Sequence, residues 1–146
     1  MPFTYDYPRP CVTVDCVIFK MGEPYEVLLI RRKFAPYKDL WAFPGGFINM
    51  DETLEQAAAR ELEEETGLTG IELTQFHAFS AIDRDPRART IGIAFYGFAD
   101  KEKWEVKGTD DAAEAKWFPL DQIPQLAFDH DEILRKSLEK IRKENP

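Results

Sequence analysis

Residues 46–68, GFINMDETLEQAAARELEEETGL, carry the strongest helix signal in the chain and the feature that decides the fold. Thr53 stands where an N-cap belongs, Gln56 completes a capping box, and Gly67 supplies a C-terminal stop. A helix is therefore expected over Leu54–Thr66. At about 100° per residue, Leu54, Ala57, Ala58 and Leu62 share the side that should face a sheet. Glu61, Glu64 and Glu65 fall on that same side, while Glu55, Gln56, Ala59 and Glu63 cover the opposite one. A merely solvated acidic face would lie opposite the apolar stripe. Like charges at helical spacing repel by about 0.2–0.5 kcal/mol per pair, and partial burial makes this worse. A divalent cation relieves such a cluster; Mg²⁺, or Mn²⁺ in its place, suits carboxylates and water. Arg60, one turn before Glu64, is placed to pair with a carboxylate and orient it. Gly45 and Gly46 let the backbone pass close to the helix, where their carbonyls offer further ligands. Glu52 suits the positive helix N-terminus and can reach the cluster through water.

Outward from this helix, residues 12–19 and 27–31 are patterned as strands around a turn signal at Gly22 and Pro24. Residues 33–46, with Pro36, Pro44 and two glycines, suit a long loop or bent strand. Residues 71–79 and Thr90–Phe98 read as strands joined by the polar loop AIDRDPRAR, and a short strand follows at 113–118. Residues 129–143 form an amphipathic helix with Leu134, Leu138 and Ile141 on one face, and Asp129 is its expected N-cap. Such an order implies an α/β fold, a mixed β-sheet covered by helices. At 146 residues the chain is sized for one domain, 1–146. Its net charge of −8 argues against a general nucleic-acid binder, so no nucleic acid is expected as partner. No apolar run spans a membrane, and residues 1–10 lack the basic and apolar regions of a signal peptide; a cytoplasmic location is expected. Cys11 and Cys16 fall on opposite faces of a strand, unsuited to bonding each other.

Gly46, Glu52, Arg60, Glu61, Leu62, Glu64, Glu65, Gly67 and Leu68 fill every defined position of one signature. It is a glycine, five residues, Glu, seven residues, then Arg-Glu-apolar-any-Glu-Glu-any-Gly-apolar. On these residues the chain resembles the Nudix hydrolases. The likeness extends to the lead-in at Trp41-Ala-Phe-Pro-Gly-Gly and the late strand at Lys116-Trp-Phe-Pro-Leu. It implies a Nudix-type α/β/α sandwich and hydrolysis of a nucleoside diphosphate linked to another group. By the same resemblance Glu61, Glu64 and Glu65 would hold Mg²⁺ with the Gly45 carbonyl. One glutamate, or an acid from another loop, would act as base toward water; Asp111 and Glu114 are the loop candidates, and Asp111 a further metal contact. A metal supplies the chemistry such a cleavage needs, by lowering the pKa of water and polarising the phosphoryl oxygen.

The substrate has to be read from elsewhere. Arg84, Arg87 and Arg89 make a basic loop in an acidic chain, fit for bidentate contact with phosphates. Arg31 is a further candidate, and Phe43 could stack on a base, although an aromatic beside a sheet more often belongs to the core. With the opening at Tyr7–Pro10 and Val12–Asp15, this loop resembles the ADP-ribose pyrophosphatase-like branch, from which it departs at Ile82, where that branch often carries a proline. A small-molecule nucleotide, ADP-ribose or a related nucleoside-diphosphosugar, is the expected substrate. The alternatives are a nucleoside triphosphate pyrophosphohydrolase and a sugar-nucleotide sensor. The sensor relatives join such a domain to a winged helix, for which a chain ending at Pro146 leaves no room. A homodimer is compatible with the family but marked by no residue.

Overall fold

A computed structural model describes residues 2–106 and 112–144. Strands β1 (Cys11–Lys20), β2 (Glu26–Arg32), β3 (Trp41–Ala42) and β4 (Gly45–Phe47) precede helix α1 (Leu54–Thr66). Strands β5 (Thr74–Phe79), β6 (Thr90–Phe98) and β7 (Ala112–Pro119) follow, and helix α2 (His130–Glu144) completes the order. All seven strands form one sheet in the order β3-β2-β1-β6-β5, with β4 on β1 and β7 on β2. β1 and β6 run parallel over nine registered pairs, from Cys11↔Thr90 to Phe19↔Phe98, and the other pairings are antiparallel. The expected mixed sheet is therefore present.

Alternation along β1 assigns its two faces. Val14, Cys16 and Ile18 pack with Ala57, Ala58 and Leu62 of α1. Val17 and Phe19 point the other way and pack with Ile133 and Ile141 of α2. Two helices thus cover opposite faces of the sheet, each contributing an apolar stripe worth about 1.5–3 kcal/mol per fully buried large side chain. The same alternation separates the cysteines: Cys11 is exposed and Cys16 buried, and both are free thiols.

Helix α1 has the expected bounds because its ends are chemically marked. The Thr53 hydroxyl accepts from the Gln56 amide, the Gln56 side chain accepts from the Thr53 amide, and Gly67 adopts φ +82°. The segment expected as a long loop or bent strand, 33–46, combines both: Trp41 and Ala42 find partners on β2 and Gly45–Phe47 on β1, forming β3 and β4. Residues 71–73 leave the expected strand. They cross the sheet edge so closely that a Cβ on Gly97 would lie 2.6 Å from the Glu72 carbonyl oxygen. Ile71 and Leu73 accordingly pack into the α1-side core instead of extending β5. Among the described residues no helix is long and apolar enough to cross a membrane.

Candidate active site

The edge where β1, β4 and α1 meet brings the acidic helix face to the sheet. A Cβ on Gly46 would fall 2.7–2.9 Å from the carboxylate atoms of Glu61, so only glycine leaves that carboxylate its place. Gly45 lies closer still to β1, where a Cβ would fall 2.1 Å from the Val14 carbonyl oxygen, and its amide donates to Glu65 Oε1 at 2.7 Å. The three glutamates differ in depth. Glu65 is buried at 6% exposure, Glu61 has 13% of its side chain exposed, and Glu64 is at the rim with 41%. The overlap of acids with the apolar face is thus graded: Glu65 is deepest, whereas Glu64 belongs to the solvent-facing margin.

Arg60 ties this face together. Its Nε and Nη2 donate to Glu52 at 2.9 and 2.6 Å, and Nη1 donates to Glu61 at 2.8 Å and Glu64 at 3.2 Å. Nη2 also reaches the Phe47 carbonyl at 3.1 Å. The hydrogen bond from Arg60 holds the Glu52 carboxyl below the usual carboxylate range, and the same acids raise the Arg60 guanidinium. Glu52 also accepts from the Asn49 amide. It orients Arg60 directly, in place of the water-mediated reach toward the metal expected from sequence.

The carboxylates open on a cleft of about 350 Å³, lined also by Arg32, Lys33, Asn49 and Arg87. Among the described residues no three His, Cys, Asp or Glu side chains converge closely enough to form a ready cage for a metal. The donors nevertheless fit a hydrated hard cation. They are carboxylate oxygens at graded depth, with space kept by Gly46, and Mg²⁺ retains several waters while taking only one or two carboxylates.

Behind the cleft lies a smaller cavity of about 50 Å³ that shares Arg32, Gly45, Gly46, Glu65 and Arg87 with it. Its wall contains Asp15, a residue passed over in sequence although a carboxylate inside VTVDCVIF breaks the strand's apolar run. Asp15 is 7% exposed. Burial pushes its carboxyl up to about 7, against Arg84 and with Asp129 and Glu61 adding to the rise. His130 Nε2 lies 3.5 Å from Asp15 Oδ1, and His130 Nδ1 accepts from the Phe43 amide at 3.0 Å. Burial lowers His130 to about 3, so the ring is neutral.

The basic loop divides into distinct roles. Arg84 has only 4% of its side chain exposed and makes a bidentate pair with Asp129, at 2.9 and 2.8 Å. Its guanidinium rests on β6, where a Cβ on Gly92 would fall 2.8–3.0 Å away. Arg84 is thus a buried tie between the loop and α2, and the Asp129 carboxylate serves that pair instead of capping the helix. Arg87 donates to Asp85 through Nε and Nη2 and lies over the rings of Phe47 and Phe128, 4.8 and 5.2 Å from their centroids. Arg89 is exposed and lines neither cavity. Arg31 is turned to Asp39 and Glu114, at 2.9 and 3.5 Å. Phe43, offered as a base-stacking residue, is 2% exposed and stacked on His130, which leaves it no open face. Asp110 and Asp111 lie outside the described residues. Arg32 and Phe128 were missed by the sequence reading, and both line the smaller cavity.

A family model for the NUDIX domain matches residues 9–140. The chain belongs to the NUDIX family. Members of the NUDIX family generally use divalent metals. This NUDIX chain is 43% identical over 129 residues to an ADP-ribose pyrophosphatase of Methanocaldococcus jannaschii, covering 88% of the chain and 73% of that enzyme. It is 31% identical over 141 residues to the ADPR responsive transcriptional repressor NtrR of Acinetobacter baylyi, covering 93% of the chain but only 56% of the repressor. Among solved structures, a MutT/nudix family protein from Enterococcus faecalis superposes with a TM-score of 0.88 at 31% identity, over 97% of this chain and 66% of that one. The NUDIX domain of Shewanella oneidensis NrtR, complexed with ADP ribose, superposes with a TM-score of 0.83 at 28% identity, over 94% of each chain.

Proposed function

We propose that the chain is a Mg²⁺-dependent hydrolase of ADP-ribose or a related nucleoside-diphosphosugar, acting in the cytoplasm as a single domain spanning residues 1–146. The observation that carries this reading is the graded acidic face, Glu61, Glu64 and Glu65, set on the Gly45–Phe47 strand and oriented by Arg60. The identity with the archaeal ADP-ribose pyrophosphatase supports the substrate.

Glu61, Glu64 and Glu65, with the backbone at Gly45, would hold Mg²⁺, which when bound supplies Lewis acidity toward the phosphoryl oxygen and lowers the pKa of water. The chain's own residues do the rest. Arg60 keeps two of these carboxylates in place, and Glu52 keeps Arg60 in place. A carboxylate of this face takes a proton from the attacking water as the new P–O bond forms. The anhydride P–O bond breaks, and its bridging oxygen leaves with the other phosphate. ADP-ribose plus water thus gives AMP and ribose 5-phosphate. Arg32 and Arg87 line the same cleft and offer guanidinium groups to the anionic substrate.

A panel of ADP-ribose, other nucleoside-diphosphosugars and (d)NTPs with Mg²⁺ tests the assignment. Preferred turnover of ADP-ribose is expected, and rapid (d)NTP hydrolysis without it would replace this reading with a triphosphate pyrophosphohydrolase. Likeness to the repressor keeps a second reading, a sugar-nucleotide sensor. Binding of ADP-ribose with no turnover of any panel member would favour that one.

A further inference from the structure

One aromatic ring in the wall of the smaller cavity is shared by two arginines. Phe128, in the connection before α2, lies 4.9 Å from Arg32 Cζ and 5.2 Å from Arg87 Cζ, measured to its centroid. Arg32 comes from β2 and Arg87 from the loop before β6, yet both line the large cleft and the small cavity behind it. Two guanidinium groups gathered this way repel each other, and the negative π-face of the ring that both approach offsets the repulsion. Phe128 is held there against its backbone preference, with φ +52°, a region a bulky residue seldom occupies. Tyr37, also left-handed at φ +59°, meets it edge-on with centroids 4.8 Å apart, and His130 lies against it at 5.6 Å. Arg32 in turn donates through Nε to the Pro36 carbonyl at 2.8 Å, fastening the loop that carries Tyr37. Strained backbone, ring contacts and arginine tethers all converge on one side chain.

We propose that Phe128 is a positioning residue that assembles Arg32 and Arg87 into a two-guanidinium receptor for a phosphate of a nucleoside diphosphate, in the cleft that Glu61, Glu64 and Glu65 also line. It rests on the diphosphate chemistry proposed above and deepens it by naming what holds the substrate in that cleft. The fork of each guanidinium matches a pair of phosphate oxygens. Arg87 engages Asp85 through Nε and Nη2 only, so Nη1 is not part of that pair.

Calorimetric titration with ADP in Mg²⁺ tests this, with melting curves as the folding control. Phe128→Leu should weaken ADP binding roughly tenfold, while Phe128→Trp, which restores a ring, should stay within about threefold of wild type. In an Arg32→Gln, Arg87→Gln background, Phe128→Leu should have no further effect on ADP. Wild-type affinity in Phe128→Leu, or an undiminished Phe128→Leu effect in the background lacking both arginines, would overturn the inference. If Phe128→Leu does not fold, wild-type ADP affinity in both single arginine variants overturns it equally. ADP carries the diphosphate without the second ribose. Absent ADP-ribose turnover therefore counts against the proposed function alone, and ring-independent ADP binding against this inference alone.

Discussion

Replacing Gly46 by alanine should separate activity from folding. The added Cβ would lie 2.7 Å from Glu61 Oε1, and ordinary contact begins near 3.4 Å, so the carboxylate must retreat by at least 3.4 − 2.7 = 0.7 Å. The obstructing atoms are the far end of a flexible side chain, which can yield. Gly46 is not among the glycines with positive φ, so alanine meets no backbone penalty there, and it reduces the freedom of the unfolded chain. Stability should therefore stay within about 1 kcal/mol of wild type, read by urea unfolding. Turnover should fall roughly 10²-fold, the scale of loss for a catalytic group misplaced by about 1 Å. Gly45→Ala provides the contrast. Its Cβ would meet the Val14 carbonyl oxygen at 2.1 Å and Asp15 Cα at 3.0 Å, which are backbone atoms of the partner strand. That variant should lose about 1–3 kcal/mol or more of stability, because β1 and β4 must separate. Full activity in Gly46→Ala, or equal destabilisation by the two substitutions, would refute the argument that these glycines serve different purposes.

Three further outcomes follow from the same geometry. Glu65→Gln retains an oxygen able to accept from the Gly45 amide, so folding should persist. Activity of Glu65→Gln and of Glu64→Gln should drop by more than the roughly 10–100-fold seen when a residue behind a metal ligand is lost; wild-type rates in both would dismiss the acidic face. Arg84→Met should cost about 2–3 kcal/mol in urea unfolding, since it strands Asp129, discounted for that carboxylate's partial exposure; an unchanged midpoint would return the pair to the surface category. Asp15 and His130 should respond oppositely to acid. His130, depressed to about 3 when folded, removes stability as pH falls below 6.5, at most about 1.4 kcal/mol per pH unit. Asp15, raised to about 7, restores stability as pH falls from 7 toward 4, because the buried carboxyl takes up its proton before the unfolded one does. Asp15→Asn should therefore lose stability on acidification from pH 6.5 to 4 more steeply than wild type, and parallel curves would contradict the raised carboxyl.

What could be read from sequence was local or periodic. The bounds of α1 were legible because Thr53, Gln56 and Gly67 mark them chemically, and the β1 face assignment because side chains alternate along a strand. The acidic face was legible because three acids share a helical side with Leu62. Their depths were not, since Glu65 is buried through contacts with Gly45 on a strand far from it in the chain. The same holds for the basic loop. Nothing in DRDPRAR distinguishes Arg84 from Arg87, whose roles depend on Asp129, Gly92 and the Phe47 and Phe128 rings. Phe43 lies in the core between β3 and β4, where the chain carries it against His130, a residue far along the sequence. Asp15 did leave a trace, a charge within an apolar strand, and such a break signals a buried polar partner.

On the proposed function, this acidic face, with Mg²⁺, opens the diphosphate of ADP-ribose. The most direct test is mass-spectrometric identification of the products formed from ADP-ribose by the purified chain, with Mg²⁺ and with EDTA. AMP and ribose 5-phosphate in equal amounts, formed with Mg²⁺ and abolished by EDTA, are the predicted result. Free adenine or ribose as the first product, or intact ADP-ribose in both conditions, would contradict it.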